Sequence, residues 1–136
     1  MTSFDSLEEL EKIKIHYPEA ELLLRIKTDD ECSTIKLSKK FGAEQNTWEK
    51  LIKKCRELDL DLVGMSFHVG TGSYDTSTFS KAIKDCSEIK KIAVNYGFDL
   101  NILDIGGGFP GNDLAEPSFE EFAIVINQAI ESNFDN

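Results

Sequence analysis

Leu62-Val63-Gly64-Met65-Ser66-Phe67-His68-Val69 is an apolar run of strand length, entered from the turn Asp59-Leu60-Asp61 and left through Gly70-Thr71-Gly72-Ser73. Helical patterns flank it on both sides. Upstream, Thr47 can cap a helix whose Leu51, Ile52, Cys55 and Leu58 form one apolar stripe. Downstream, Asp75 or Thr76 opens a long helix carrying Phe79, Ala82, Ile83, Cys86, Ile89 and Ala93. A buried strand between two amphipathic helices is the signature of a βα unit.

The pattern repeats outward. Ser6 begins a capping-box pattern ahead of a short helix with Leu7, Leu10 and Ile13, which stops at Pro18. Leu22-Leu23-Leu24-Arg25-Ile26 follows as a strand buried on both faces, and the polar stretch from Thr28 to Ser33 has no regular period. Beyond the central unit, Gly97 can supply a left-handed C-cap before a strand from Leu100 to Ile105. Ser118 and Glu121 then open a last helix with Phe122, Ala123, Ile126, Ala129 and Ile130 facing inward.

The order α-β-α-β-α-β-α predicts an α/β fold with about three parallel strands and alternating helices, in a doubly wound sheet or a (β/α)8 barrel. No linker divides the chain. A closed eight-stranded barrel takes about 250 residues, and a three-stranded sheet leaves two edges with unpaired backbone groups. The sheet is therefore expected to be completed by further sequence or by a partner.

Composition narrows the functions. With 15 Lys and Arg against 25 Asp and Glu the 136-residue chain carries a net charge of −10, which argues against nucleic acid as a partner. Hydrophobic residues at 40% and charged residues at 29% exclude a disordered or collagen-like chain. Neither a cleavable leader nor an apolar run of about 20 residues is present, so no membrane contact and a cytoplasmic location are expected. Cys32, Cys55 and Cys86 form no CxxC pair, so neither a disulfide framework nor a metal site is expected; Cys55 and Cys86 read as small buried hydrophobes.

Functional groups of parallel βα folds gather at the carboxyl ends of the strands. All three predicted ends are chemically loaded. The first has Arg25, Lys27, Asp29 and Asp30; the second has His68 and Gly70-Thr71-Gly72-Ser73; the third has Asp104 and Gly106-Gly107-Gly108-Phe109-Pro110-Gly111. Successive glycines let peptide N–H groups approach an anion closely, so the two glycine turns read as a phosphate site, against the plainer alternative of tight packing corners. His68 is either a satisfied rim residue or a flat ring for stacking or proton transfer. Arg25 and Lys27 share one side of their strand and Leu22, Leu24 and Ile26 the other. Arg25 then either pairs with Asp29 or Asp30 or meets a ligand. No HExxH, GxSxG or Walker-type lysine loop occurs. Phe4, Phe67 and Phe79 read as core, and Lys39, Lys40, Lys53 and Lys54 as solvated charges.

LLRIKTDD (Leu23 to Asp30), LSKKFG (Leu37 to Gly42), VGMSFHVGTGS (Val63 to Ser73) and LDIGGGFPG (Leu103 to Gly111) together resemble the eukaryotic-type ornithine decarboxylases nearly end to end. That resemblance implies an alanine-racemase-like barrel binding pyridoxal 5′-phosphate, with residues 1–136 as a partial barrel domain lacking the C-terminal β-domain. It implies that His68 stacks on the pyridine ring, that Thr71, Gly107 and Gly108 help hold the phosphate, and that Arg25 lies near the ring. Asp104 matches a strand-end acid, and Lys40 a basic residue at the family's homodimer interface. The implied reaction is decarboxylation of L-ornithine to putrescine, in polyamine synthesis, with the cofactor as electron sink. Thr71 stands in place of the commoner serine and Lys27 in place of a small neutral residue.

In the family the Schiff-base lysine belongs to an earlier strand, and the acid facing the pyridine nitrogen, the Glu-Pro-Gly-Arg segment and the catalytic cysteine belong to later sequence. Met1 to Asp5 falls at the tail of a preceding strand. No catalytic residue is therefore assigned within this chain, Lys27 is not taken as the Schiff-base lysine, and the expectation is a truncated or partial product, inactive alone. The alternative is a non-catalytic regulator like the antizyme inhibitors, with antizyme as partner; a further one is a remnant that folds only on a partner.

Overall fold

The computed structural model describes residues 1–112 and 114–134. Four parallel strands form its main sheet: β1 (Thr2–Phe4), β2 (Glu21–Arg25), β4 (Asp61–Ser66) and β6 (Ile102–Asp104), in the spatial order β1-β2-β4-β6. A helix follows each strand: α1 (Leu7–His16), α2 (Trp48–Glu57), α3 (Ser77–Asn95) and α4 (Phe119–Phe134). Consecutive strands are neighbours and consecutive helices pack side by side. A doubly wound sheet would reverse its strand order at a switch point. An unreversed order with right-handed crossovers keeps every helix on one face, which makes this sheet an arc of a barrel wall.

The strand count differs from the sequence reading. β1 pairs with β2 through Thr2 with Leu22, Ser3 with Leu23 and Phe4 with Leu24, but only Phe4 of its three residues is buried, so it has no apolar pattern to read. A second, antiparallel pair joins β3 (Ser33–Ile35) to β5 (Thr71–Ser73), the former in the stretch without a period and the latter inside the glycine loop. Thr47 does not cap α2. Its backbone is already helical and its hydroxyl donates to Glu44 O at 2.7 Å, within a 3-10 turn over Gln45–Thr47.

Other local signals act as the sequence predicts. Ser6 Oγ accepts the Glu9 N–H at 3.2 Å. At α4 the capping is reciprocal, Ser118 N–H to Glu121 Oε2 at 2.8 Å and Glu121 N–H to Ser118 Oγ at 3.3 Å. Asp75 Oδ1 receives the Ser77 N–H at the start of α3, and Gly97 ends that helix at φ +78°.

Residues paired across a sheet share a face. Leu22, Leu24, Met65 and Phe67 lie on the helix side, fully buried against Leu10, Ile52, Phe79 and Ile83. Cys55 and Cys86 are buried in this layer, and burial pushes the Cys55 thiol up to about 12 and that of Cys86 higher still. The other face, the inside of the arc, carries Leu23, Arg25, Gly64, Ser66, Ile102 and Asp104. Among the described residues no helix is long and apolar enough to cross a membrane.

One buried carboxylate ties down the segment that carries β3. Asp30, 2% exposed, accepts the N–H groups of Leu37 and Ser38 at 2.6 and 2.8 Å and the Ser38 hydroxyl at 2.6 Å. Burial works against its charge, but the hydrogen bonds from Ser38 and Leu37 outweigh it and hold the carboxyl below its ordinary 3.8. With a folded value below the unfolded one, its contribution is complete above 3.8 and is lost as pH falls through the folded value. Asp30→Asn is expected to cost roughly 1–3 kcal/mol at pH 7 and to flatten the acid limb of stability measured by urea melts; an unchanged acid limb would exclude this role.

Candidate functional site

Parallel register places Arg25 beside Ser66 and Ser66 beside Asp104, so one row of polar side chains crosses three strands at their carboxyl ends. His68 follows two residues beyond Ser66. The Arg25 guanidinium lies 4.8 Å from the centre of the Phe41 ring, a cation–π contact. Neither ion pair considered from sequence forms, because Asp30 serves the backbone and Asp29 accepts from Glu31 N–H and lies 4.0 Å from Lys81 Nζ. Lys27 Nζ is paired with Glu44 Oε1 at 2.5 Å, and Lys40 is exposed.

The imidazole of His68 is held in one tautomer. Its Nδ1 accepts the Gly70 N–H at 3.1 Å, which leaves the hydrogen of the neutral ring on Nε2. Thr28 Oγ1 donates to the His68 carbonyl at 2.8 Å. Burial first, and then the positive charge of Arg25, hold this histidine below its ordinary 6.5, with Asp104 pulling the other way. The ring is therefore uncharged near neutral pH.

Both glycine turns close on this ring. A Cβ at Gly107 would stand 3.2 Å from His68 Nε2, a tight contact that the imidazole would have to yield to. Gly108, at φ +112°, packs so tightly that a Cβ would overlap the Gly70 carbonyl oxygen and come within 2.9 Å of Val69 Cγ2. Ser73 N–H donates to Gly108 O at 3.0 Å, and Asp104 Oδ1 accepts the Gly106 N–H at 2.8 Å. Gly70, at φ +88°, is pressed against Ser33, whose hydroxyl donates to Val69 O at 2.6 Å. Thr71, exposed on the first of these turns, pairs with Ile35 of β3. The structure thus brings His68, Gly107 and Gly108 together, with Thr71 next to Gly70 on the turn that packs on Gly108 and Arg25 in the row beneath.

Phe109 matters more than its place in a motif suggested. Its ring stacks on Phe79 at 4.9 Å and 16° and meets Phe119 edge-on at 5.6 Å. The residue after the glycine run is thereby fixed to α3 and α4. Ser33 was also not singled out, since its partner Val69 lies far away in sequence, and Asp30, considered as a partner for Arg25, instead anchors Leu37 and Ser38.

Residues 1–136 match, over their whole length, the family described as pyridoxal-dependent decarboxylase, pyridoxal binding domain. The chain belongs to that family. Ornithine decarboxylase of Mus musculus is 44% identical to this domain over 134 residues, which are 98% of the chain and 29% of the relative. Antizyme inhibitor 2 of Xenopus laevis is 41% identical over the same shares. The arginine decarboxylase of Paramecium bursaria Chlorella virus, in a crystal structure with agmatine, superposes with a TM-score of 0.92 at 36% identity, covering 98% of this chain and 36% of that one. The pyridoxal binding domain thus spans less than a third of the length of the curated relatives it matches.

Proposed function

We propose that this domain holds pyridoxal 5′-phosphate on its joined glycine turns, as part of an enzyme that decarboxylates L-ornithine to putrescine. The observation that carries the reading is the contact of Gly108 with Gly70 beside an imidazole lined by Gly107. It makes a cradle that side chains would fill, where the Gly107 and Gly108 N–H groups and the Thr71 hydroxyl would serve an anion. Thr71, Gly107 and Gly108 would hold the phosphate, His68 would lie against the pyridine ring, and Arg25 would face its polar side. When bound, the cofactor supplies an electron sink for the carbanion left by loss of carbon dioxide.

The chain's own groups prepare that chemistry. An uncharged His68 meets a cationic ring face without repulsion, and Gly70 N–H keeps its orientation. Asp104 braces the start of the glycine run. Lys27 is paired with Glu44 and is not taken as the Schiff-base lysine, which in the family belongs to an earlier strand, so the 136-residue chain is expected to release no carbon dioxide from ornithine. In the full-length assembly a homodimer in the cytoplasm is the matching expectation, with Lys40 on its interface. The name of the Xenopus relative supports a second reading, a regulator that binds antizyme without chemistry.

Equilibrium dialysis of the 136-residue chain tests the site. Pyridoxal phosphate is expected to be retained and displaced by inorganic phosphate, pyridoxal without phosphate to bind at least tenfold more weakly, and Thr71→Val to weaken retention severalfold. Equal binding of pyridoxal and its phosphate would overturn the reading, and turnover by the chain alone would overturn its inactivity.

A further inference from the structure

Ser66 Oγ is a buried side-chain polar atom with no hydrogen-bond partner among the described residues, on a residue only 5% exposed. A buried hydroxyl without a partner is unfavourable unless something else satisfies it. Its surroundings point to what that is. Ser66 sits inside the arc between Arg25 and Asp104, a cation on one side and an anion on the other. Neither reaches it: the guanidinium lies over Phe41 and Asp104 Oδ1 is engaged by the Gly106 N–H.

Alternation puts Ser66 on the same face as His68, one step further from the glycine turns. One more step along that face is Gly64, where a Cβ would meet Ile102 Cβ at 2.7 Å, so β4 and β6 close together there. The hydroxyl therefore stands at the floor of the site, beneath the position assigned to the cofactor ring.

We propose that Ser66 is a further cofactor contact, its hydroxyl donating to the 3-oxygen of the pyridine ring with Arg25 as the cationic neighbour. This rests on the pyridoxal phosphate reading above. The ring carries its polar 3-oxygen and nitrogen away from the phosphate, and an anionic oxygen is the complement of a hydroxyl donor beside a guanidinium. The row Arg25–Ser66–Asp104 then reads the polar edge of the ring, and the glycine turns read the phosphate.

The test is a cycle between one residue and one ligand atom. Wild type and Ser66→Ala are dialysed against pyridoxal phosphate and against its 3-deoxy analogue, and both are melted without ligand. Ser66→Ala is expected to bind pyridoxal phosphate roughly tenfold more weakly and to melt no lower than wild type, because it removes an unsatisfied group. Wild type is expected to lose about the same factor on the 3-deoxy analogue, where the two proteins bind alike. Equal retention of pyridoxal phosphate by both proteins would overturn the contact and leave the phosphate site standing. A lower melt with unchanged affinity would make Ser66 structural, and an equal loss on both ligands would remove the 3-oxygen as its partner. No retention by wild type would overturn the underlying reading, and the contact with it.

Discussion

Gly108→Ala is expected to lose retention of pyridoxal phosphate by roughly a hundredfold with the helices intact, as read by dialysis and far-ultraviolet circular dichroism. The backbone at φ +112° is closed to side-chain-bearing residues, a strain of about 1–3 kcal/mol. The added Cβ would also overlap the Gly70 carbonyl oxygen, which is backbone and cannot rotate away. The only relief is to part the two turns, and that removes the geometry that lets both address one anion. Gly111→Ala is the matched control, since nothing lies within 4 Å of a Cβ there and its φ is not positive. A Gly108→Ala chain that retains the cofactor like the control would sink the cradle.

Phe79→Ala is expected to produce the largest loss of stability. Phe79 is wholly buried and meets Phe67 at 6.0 Å, Phe109 at 4.9 Å and Phe122 at 5.6 Å. Truncation of a ring in such a place costs about 3–5 kcal/mol, against a total of about 5–15 kcal/mol for a typical domain. Phe79→Leu, which refills part of the volume, should recover a share of it. Urea midpoints would show the order wild type, Leu, Ala. Equal midpoints for the two variants would mean that α3 relaxes into the gap.

The elements legible from sequence are those whose stability comes from their own pattern. Leu22-Leu23-Leu24 and the stripe from Phe79 to Ala93 carry enough apolar residues to fix strand and helix alone. β1 is different, because two of its three residues are exposed and its pairing depends on Leu22 to Leu24. β3 and β5 pair between segments far apart in sequence, with Gly70 packed on Ser33 beside them, which no local period encodes. The choice between barrel arc and doubly wound sheet required the strand order. In the proposed site, Arg25, His68, Thr71, Gly107 and Gly108 are readable as residue types at strand ends. That Arg25 meets Phe41 instead of an aspartate, and that Ser66 lacks a partner, are properties of neighbours brought together from three strands.

The hydrogen bond from Gly70 N–H to His68 Nδ1 joins ionisation to shape. A proton arriving from acid solution must take the lone pair that this amide occupies, so charging the imidazole frees the peptide it was holding. The geometry of the first glycine turn and the acidity of the medium are thereby linked through one nitrogen lone pair.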